Sequence, residues 1–422
     1  MSPAALSLIL VVVLAIAYGI DKIPAAVVAM TAAIVCGILG LIDFKTVFSG
    51  MAGTAAVLLM SMMIIGGAMF RTGLASKIAK GFLKVTGTSE RGIMVAVTIV
   101  AALLSSVLNN VGVVVTLMPI VLKMCKDADV APSRGLMPLA YGAAIGGIIT
   151  LVGAASSVTA NGLLEAAGVA TVNFAELAWV GIPLTVLGVL YIAFFGQKII
   201  PDTGHDFTGL PVYSEEDEKN ESTTKQIITA IVFLAIIVCM IVTPFGWPLY
   251  FISSVGALIL ILTGCITEKQ AYAAIDWPTI VICGAMIAVG SAVTKTGGSD
   301  LIANWVVKVL GENPNPTLIT LVICLVVTVV TQFMSNVSTA TLMAPIAIAI
   351  AQGIGCNPKT IGIIVIIAAN ASMLTPVGAQ AFTVVYGPGK FKFMDFFKVG
   401  LPLVIINTLL AVLLVPQIWP FF

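Results

Sequence analysis

The chain has 422 residues, and its 20 Lys+Arg and 19 Asp+Glu make 9% charged against 59% apolar residues. A soluble domain carries roughly 25% charge, so a chain this long with so few charges is excluded as a cytosolic enzyme or nucleic-acid binder. Charge-free runs at 92–122, 135–164, 226–267, 313–358 and 360–389 exceed the roughly 20 residues a helix needs to cross a bilayer, so the chain reads as an all-α integral membrane protein and not a barrel.

Taken in order, the first half gives spans at 4–20, 24–42 and 51–70, an amphipathic connector at 74–87, and an apolar stretch at 92–125 interrupted by Asn. A broken span at 135–164 and a span at 177–197 follow. The opening segment lacks a basic n-region and a small-x-small cleavage site, so it reads as a membrane span and not a signal peptide. Residues 198–225 form a cytoplasmic linker, whose acidic run Glu215-Glu216-Asp217-Glu218 is a solvated loop. The second half repeats the order: spans at 226–244, 248–266 and 277–294, a connector at 299–311, an Asn-interrupted stretch at 317–352, a broken span at 360–386, and a last span at 399–418. The seven Cys are scattered through apolar segments without a CxxC, which suggests packing and not a metal cluster or disulfide framework.

Local matches support a duplication. Ile42-Asp43-Phe44-Lys45 recurs as Ile266-Thr267-Glu268-Lys269, Arg71-Thr72-Gly73 as Lys295-Thr296-Gly297, and the Asn110–Pro119 spacing as Asn336–Pro345. Thr150-Leu151-Val152-Gly153 recurs as Thr375-Pro376-Val377-Gly378, and Val180-Gly181-Ile182-Pro183-Leu184 as Val399-Gly400-Leu401-Pro402-Leu403. All offsets fall between 219 and 226 residues, which defines repeats at 1–197 and 226–422. The stretches 92–125 and 317–352 could each be one long span, two spans or a hairpin, and positive charge arbitrates. If both are re-entrant hairpins, each half crosses five times and the second is inverted. With both termini outside, 16 of the 20 basic residues lie inside; only Lys45, Lys295, Lys308 and Lys359 lie outside.

Inverted repeats with interrupted helices are the mark of secondary transporters, whose sites lie near the midplane. Here the interruptions come in pairs. Ser105, Asn109 and Asn110 face Thr331, Ser335, Asn336, Ser338 and Thr339 as polar tips, and Thr150–Gly153 pairs with Thr375–Gly378. An Asn amide oxygen, a hydroxyl and freed carbonyls suit a small hard cation, so Asn110 with Gly153, and Asn336 with Gly378, are expected to form two cation cages. The half-helix N-termini that follow each Asn offer N–H groups and a positive dipole end to an anion held between them. Thr98, Thr116, Ser156 and Ser157 read as interhelical glue. No Asp, Glu, Lys, Arg or His lies in the tips or breaks, which favours coupling by an inorganic cation over protons.

Ser335-Asn336-Val337-Ser338-Thr339 with Pro345, Met373-Leu374-Thr375-Pro376-Val377-Gly378, and Val385-Tyr386-Gly387-Pro388-Gly389 leading to Asp395-Phe396-Phe397-Lys398-Val399-Gly400 resemble the divalent anion:sodium symporter family of dicarboxylate, citrate and sulfate carriers. The resemblance covers almost the whole chain and is most specific over 331–402. It implies an elevator-type homodimer with scaffold and transport domains in the inner membrane. It also implies a first Na⁺ site at Ser105, Asn109, Asn110 and Gly153, and a second at Thr331, Met334, Asn336 and Gly378. Substrate contacts map to Asn109, Asn110, Ser335 and Asn336, with Ser338 of the same polar run added. This chain departs from the family's Ser-Asn-Thr tips, reading Asn-Asn-Val and Ser-Asn-Val, and has Ala154 and Ala379 where the family often has Thr.

The function expected is Na⁺-coupled symport of a divalent anion such as a C4-dicarboxylate. Its rivals are a sulfate or other inorganic anion carrier, a cation-independent dicarboxylate exchanger, and a channel. With no nucleophile–base pair, an enzyme is not expected, nor is a nucleic-acid partner.

Overall fold

The structure is a computed structural model that describes residues 2–20, 22–83, 89–212, 222–302 and 315–422. The acidic run at 215–218 and the connector beyond residue 302 lie outside the described residues, as do Lys84, Lys219 and Lys308. Every regular element among the described residues is a helix. Six helical stretches are long and apolar enough to cross a membrane: Pro3–Ile20, Phe44–Arg71, Ala178–Ile199, Thr223–Val242, Trp277–Lys295 and Phe393–Ile418. Large apolar side chains along the first, among them Val12, Ile16 and Ile20, are exposed, as a lipid-facing helix requires.

The first half runs α1 (Pro3–Ile20), α2 (Ala25–Ile38), α3 (Phe44–Ser49), α4 (Thr54–Arg71), α5 (Leu74–Leu83), α6 (Glu90–Ser105), α7 (Asn110–Asp127), α8 (Pro132–Gly146), α9 (Ala155–Ala166) and α10 (Ala178–Ile199). The second runs α11 (Thr223–Val242), α12 (Leu249–Leu262), α13 (Glu268–Ala274), α14 (Trp277–Lys295), α15 (Pro316–Val330), α16 (Asn336–Gly353), α17 (Pro358–Ala369), α18 (Gln380–Tyr386) and α19 (Phe393–Ile418).

Two spans end sooner than hydropathy suggests. The stretches expected at 24–42 and 248–266 stop at Ile38 and Leu262, because Gly40 (φ +68) and Gly264 (φ +69) take the left-handed conformation. The Leu41 and Cys265 N–H groups then reach back to the Cys36 and Leu260 carbonyls, each at 3.0 Å, the closing bond of a Schellman cap. A short capped helix comes next in each half. The Asp43 side chain accepts from Thr46 N–H at 2.8 Å, and Thr267 with Gln270 forms a capping box. The first repeated motif is thus a pair of helix starts that apolar periodicity does not reveal.

The stretch 92–125 is a hairpin. A methyl at Gly142 would sit 2.6 Å from Thr98 O and one at Gly146 2.2 Å from Ala102 O, while Thr150 Oγ1 donates to Ser106 O across the same 44-residue offset. Helices α6 and α8 therefore run parallel at close approach, and α7, which links them in sequence, must run back the other way. The Arg134 guanidinium pairs with Glu90 at 3.0 Å, joining the start of α8 to the start of α6. In the second half α15 and α17 likewise end together: Thr331 Oγ1 donates to Ala369 O at 2.6 Å and Gln332 Nε2 to Ala371 O at 2.9 Å. Helix α16 makes the return there. The repeated Pro119 and Pro345 lie inside the two returning arms.

Three apolar clusters hold the bundle. One unites α6–α8 with α10, α18 and α19, with Leu136, Tyr141, Phe382 and Phe396 among its members. Another unites α4, α9, α12 and α15–α17, and a smaller one packs α1 and α2 on α14. Tyr141 ties the second broken span to α19, its hydroxyl lying 3.0 Å from Met373 O and 2.8 Å from Phe396 O.

Candidate functional site

The hairpin tips are breaks of four residues (106–109) and five residues (331–335), whose polar side chains cannot be left unpaired in an apolar interior. In the first half, Ser105 Oγ donates to Asn110 Oδ1 at 2.5 Å. Asn109 caps α7 by accepting from the Val111 N–H at 2.8 Å. The broken span brings Gly153 against this tip, where a methyl would lie 2.8–2.9 Å from the carbonyl oxygens of Gly147, Ser105 and Ser106. Only glycine lets three carbonyls converge there, and a methyl at neighbouring Gly147 would sit 2.7 Å from Asn110 Oδ1.

The second half builds the same station from the equivalent residues. Thr331 and Asn336 are in contact at 3.2 Å, and Ser335 caps α16 by accepting from Ser338 N–H at 3.1 Å. A methyl at Gly378 would lie 3.0 Å from Thr331 O and 3.3 Å from Thr375 Oγ1. One amide position of Asn336 lies 2.6 Å from Ser372 Oγ, 3.1 Å from Gly378 O, 3.2 Å from Thr331 Oγ1 and 3.3 Å from Ala369 O. The amide NH₂ occupies that position, where its two N–H groups donate into this ring of acceptors.

Ser105, Asn109, Asn110 and Gly153 are thus brought together, as are Thr331, Ser335, Asn336 and Gly378. Two further expected residues, Met334 and Ser338, are buried. The Met334 side chain is buried in the apolar cluster of α1, α2 and α14. Ser338 is buried with its hydroxyl 2.9 Å from Ser335 Oγ, where it positions that residue. Ser156 and Ser157 act as interhelical glue, binding Asn370 at 2.7 and 3.1 Å. Thr98 instead donates to Met94 O of its own helix.

Both stations face one cavity of about 250 Å³, lined by Asn109, Asn110, Ser335, Asn336, Gly153 and Gly378 among others. The first turn of α9 borders it too. Ala154 precedes that helix in extended conformation with no side-chain cap, so the missing hydroxyl leaves the Ala155 and Ser156 N–H groups available. The cavity continues into a second one of about 500 Å³ beside α4, with Met62, Met63, Gly66 and Arg71 on its wall. A larger cavity of about 820 Å³ lies by the opposite end of α4, at Thr54, Glu165, Glu176 and Trp247. It touches neither station, so size alone does not mark the site. Burial would raise the carboxyl pKa of loop residue Glu176, but the Asn173 N–H, Lys359 and the Trp419 indole outweigh it and hold it below its ordinary value.

Several participants escaped sequence reading. Gln332 is buried and clamps the second break, accepting from Leu374 N–H at 2.9 Å. Gln380 borders both connected cavities. Asp276 does as well: it lies outside the tips and breaks, one residue before a span, and only the fold turns the start of α14 toward the tips.

A family model described as "Citrate transporter" matches residues 9–362. The "Uncharacterized transporter YfbS" of Escherichia coli (strain K12) is 22% identical, over 99% of this chain and 99% of its own. The "Sodium-dependent dicarboxylate transporter SdcS" of Staphylococcus saprophyticus is 25% identical, over 83% of this chain and 74% of its own. Among solved structures, Neisseria gonorrhoeae MtrF, from a class of antimetabolite efflux pumps, aligns with TM-score 0.65 at 15% identity, covering 99% of this chain and 95% of that one. The Alcanivorax borkumensis YdaH transporter aligns with TM-score 0.65 at 14% identity, covering 99% and 98%. At such identities these structures establish the fold alone.

Proposed function

The chain belongs to the citrate transporter family, and we propose on that premise that it carries a small divalent anion such as a C4-dicarboxylate by symport with Na⁺. Membership makes it a multi-pass membrane carrier and not an enzyme. The observation that carries the finer reading is the pair of oxygen-lined stations facing one cavity. Asn110 with Ser105 and Gly153, and Asn336 with Thr331 and Gly378, offer neutral oxygens to a cation. Asn109 and Ser335 border the space between them. Two cations held there would attract an anion that meets no basic side chain among the described lining residues. The SdcS relative's name supports both Na⁺ and a dicarboxylate.

The inverted repeat and the elevator-type homodimer in the inner membrane belong to the same proposal. With the N-terminus outside, the Arg71 end of α4 is the inner end. The station cavity then opens inward, and the 820 Å³ cavity lies on the outer side.

Uptake of labelled succinate and sulfate into proteoliposomes tests this reading. A Na⁺ gradient is expected to drive succinate accumulation. Indifference of both anions to Na⁺ would reject the coupling, and uptake driven by trans-substrate alone would favour the exchanger. Single cysteines at His205 and Lys45, both exposed, test orientation: an impermeant reagent added outside cells should label only the second.

A further inference from the structure

Among the described residues lining the cavity between the stations, Asp276 is the only charged one. It stands where that cavity meets the 500 Å³ one, in the wall of both with Asn109, Gly153 and Gln380. Thr279 Oγ1 donates to one carboxylate oxygen at 2.5 Å, and Asp276 N–H meets Met63 Sδ at 3.3 Å, so the residue is fixed at the start of α14. No described basic side chain forms an ion pair with it. Arg71 borders the 500 Å³ cavity but not the one between the stations, so an anion moving from the first cavity into the second leaves the basic side chain behind while staying beside the carboxylate.

Resting on the carrier reading above, we infer that Asp276 is a specificity-determining residue that limits how much negative charge the bound substrate carries. Attraction to cations at the stations and repulsion by Asp276 both scale with ligand charge. Dipoles, amides and hydroxyls fix the ligand's shape and orientation, and they do not set a charge ceiling. A like charge at the junction does. Each additional ionised carboxylate on the ligand adds the same penalty, in a cavity where bulk screening is weak.

Purified protein tests this by binding monomethyl succinate, succinate and citrate at one mildly alkaline pH and one saturating Na⁺ concentration, where they carry one, two and three negative charges. Wild type, Asp276→Asn and Asp276→Glu are compared, so ligand size cancels in each variant-to-wild-type ratio. Asp276→Asn is expected to tighten all three, by on the order of threefold more for each added charge, while Asp276→Glu keeps the wild-type order. Equal ratios for the three ligands, or weaker binding by Asp276→Asn, would overturn the inference and leave the carrier reading standing. Binding of none of the ligands by any of the proteins would overturn the carrier reading and this inference with it. Melting temperatures without ligand register any loss of folding, which cannot imitate a ratio that climbs with charge.

Discussion

At the scale of single residues, the site rests on side chains doing two things at once. Asn110 accepts from Ser105 and Asn336 contacts Thr331 across its tip, and the proposed function has each present an amide oxygen to a bound cation. Removing either amide is predicted to abolish Na⁺-dependent uptake while the protein still assembles, since each lies at a tip and not in an apolar cluster. Proteoliposome uptake and melting temperature, measured on Asn110→Ala and Asn336→Ala, separate the two effects. Unchanged transport in either variant would remove that residue from the site. These Asn residues were legible in the sequence because a polar pair repeated in register inside a charge-free run has little other reason to exist. Asp276, Gln332 and Gln380 were not, because their significance depends on which tip they meet. The Ser338 hydroxyl was legible as a polar group, but its engagement with Ser335 was not.

Helices and their breaks show how glycine shapes the site at the scale of elements. Gly142 and Gly146 let α6 and α8 run parallel with their backbones nearly touching, which presents Ser105, Ser106 and Gly153 to one another. Gly146→Ala places a methyl 2.2 Å from Ala102 O, and overpacking of this kind costs about 1–3 kcal/mol. A lowered melting temperature in detergent is expected. Gly19→Ala is the control: nothing lies within 4 Å of the added methyl, and alanine's helix propensity adds up to about 1 kcal/mol. A Gly146 variant as stable as the Gly19 one would disprove the close contact. Hydropathy located the spans to within a few residues, and the Asn and Gly interruptions located the breaks. It missed α3 and α13, which are too short for periodicity to register, and it overran α2 and α12 because Gly40 and Gly264 end those helices inside apolar runs.

Scarcity of charge organises the whole molecule. Among the described residues six helical stretches are long enough to cross a bilayer, and the Ser, Thr and Asn side chains at the hairpin tips pair with one another. In this setting neutral oxygens and helix N-termini take the place of ion pairs. An anion should therefore bind well only when cations fill the stations, with Asp276 opposing excess ligand charge. The most direct test is the Na⁺ dependence of succinate binding to the purified protein, read as ligand-induced thermal stabilisation. Succinate is predicted to give no stabilisation in choline or K⁺, and stabilisation in Na⁺ that rises more steeply than first order in Na⁺ concentration. Equal stabilisation by succinate with and without Na⁺ would contradict cation-dependent anion binding.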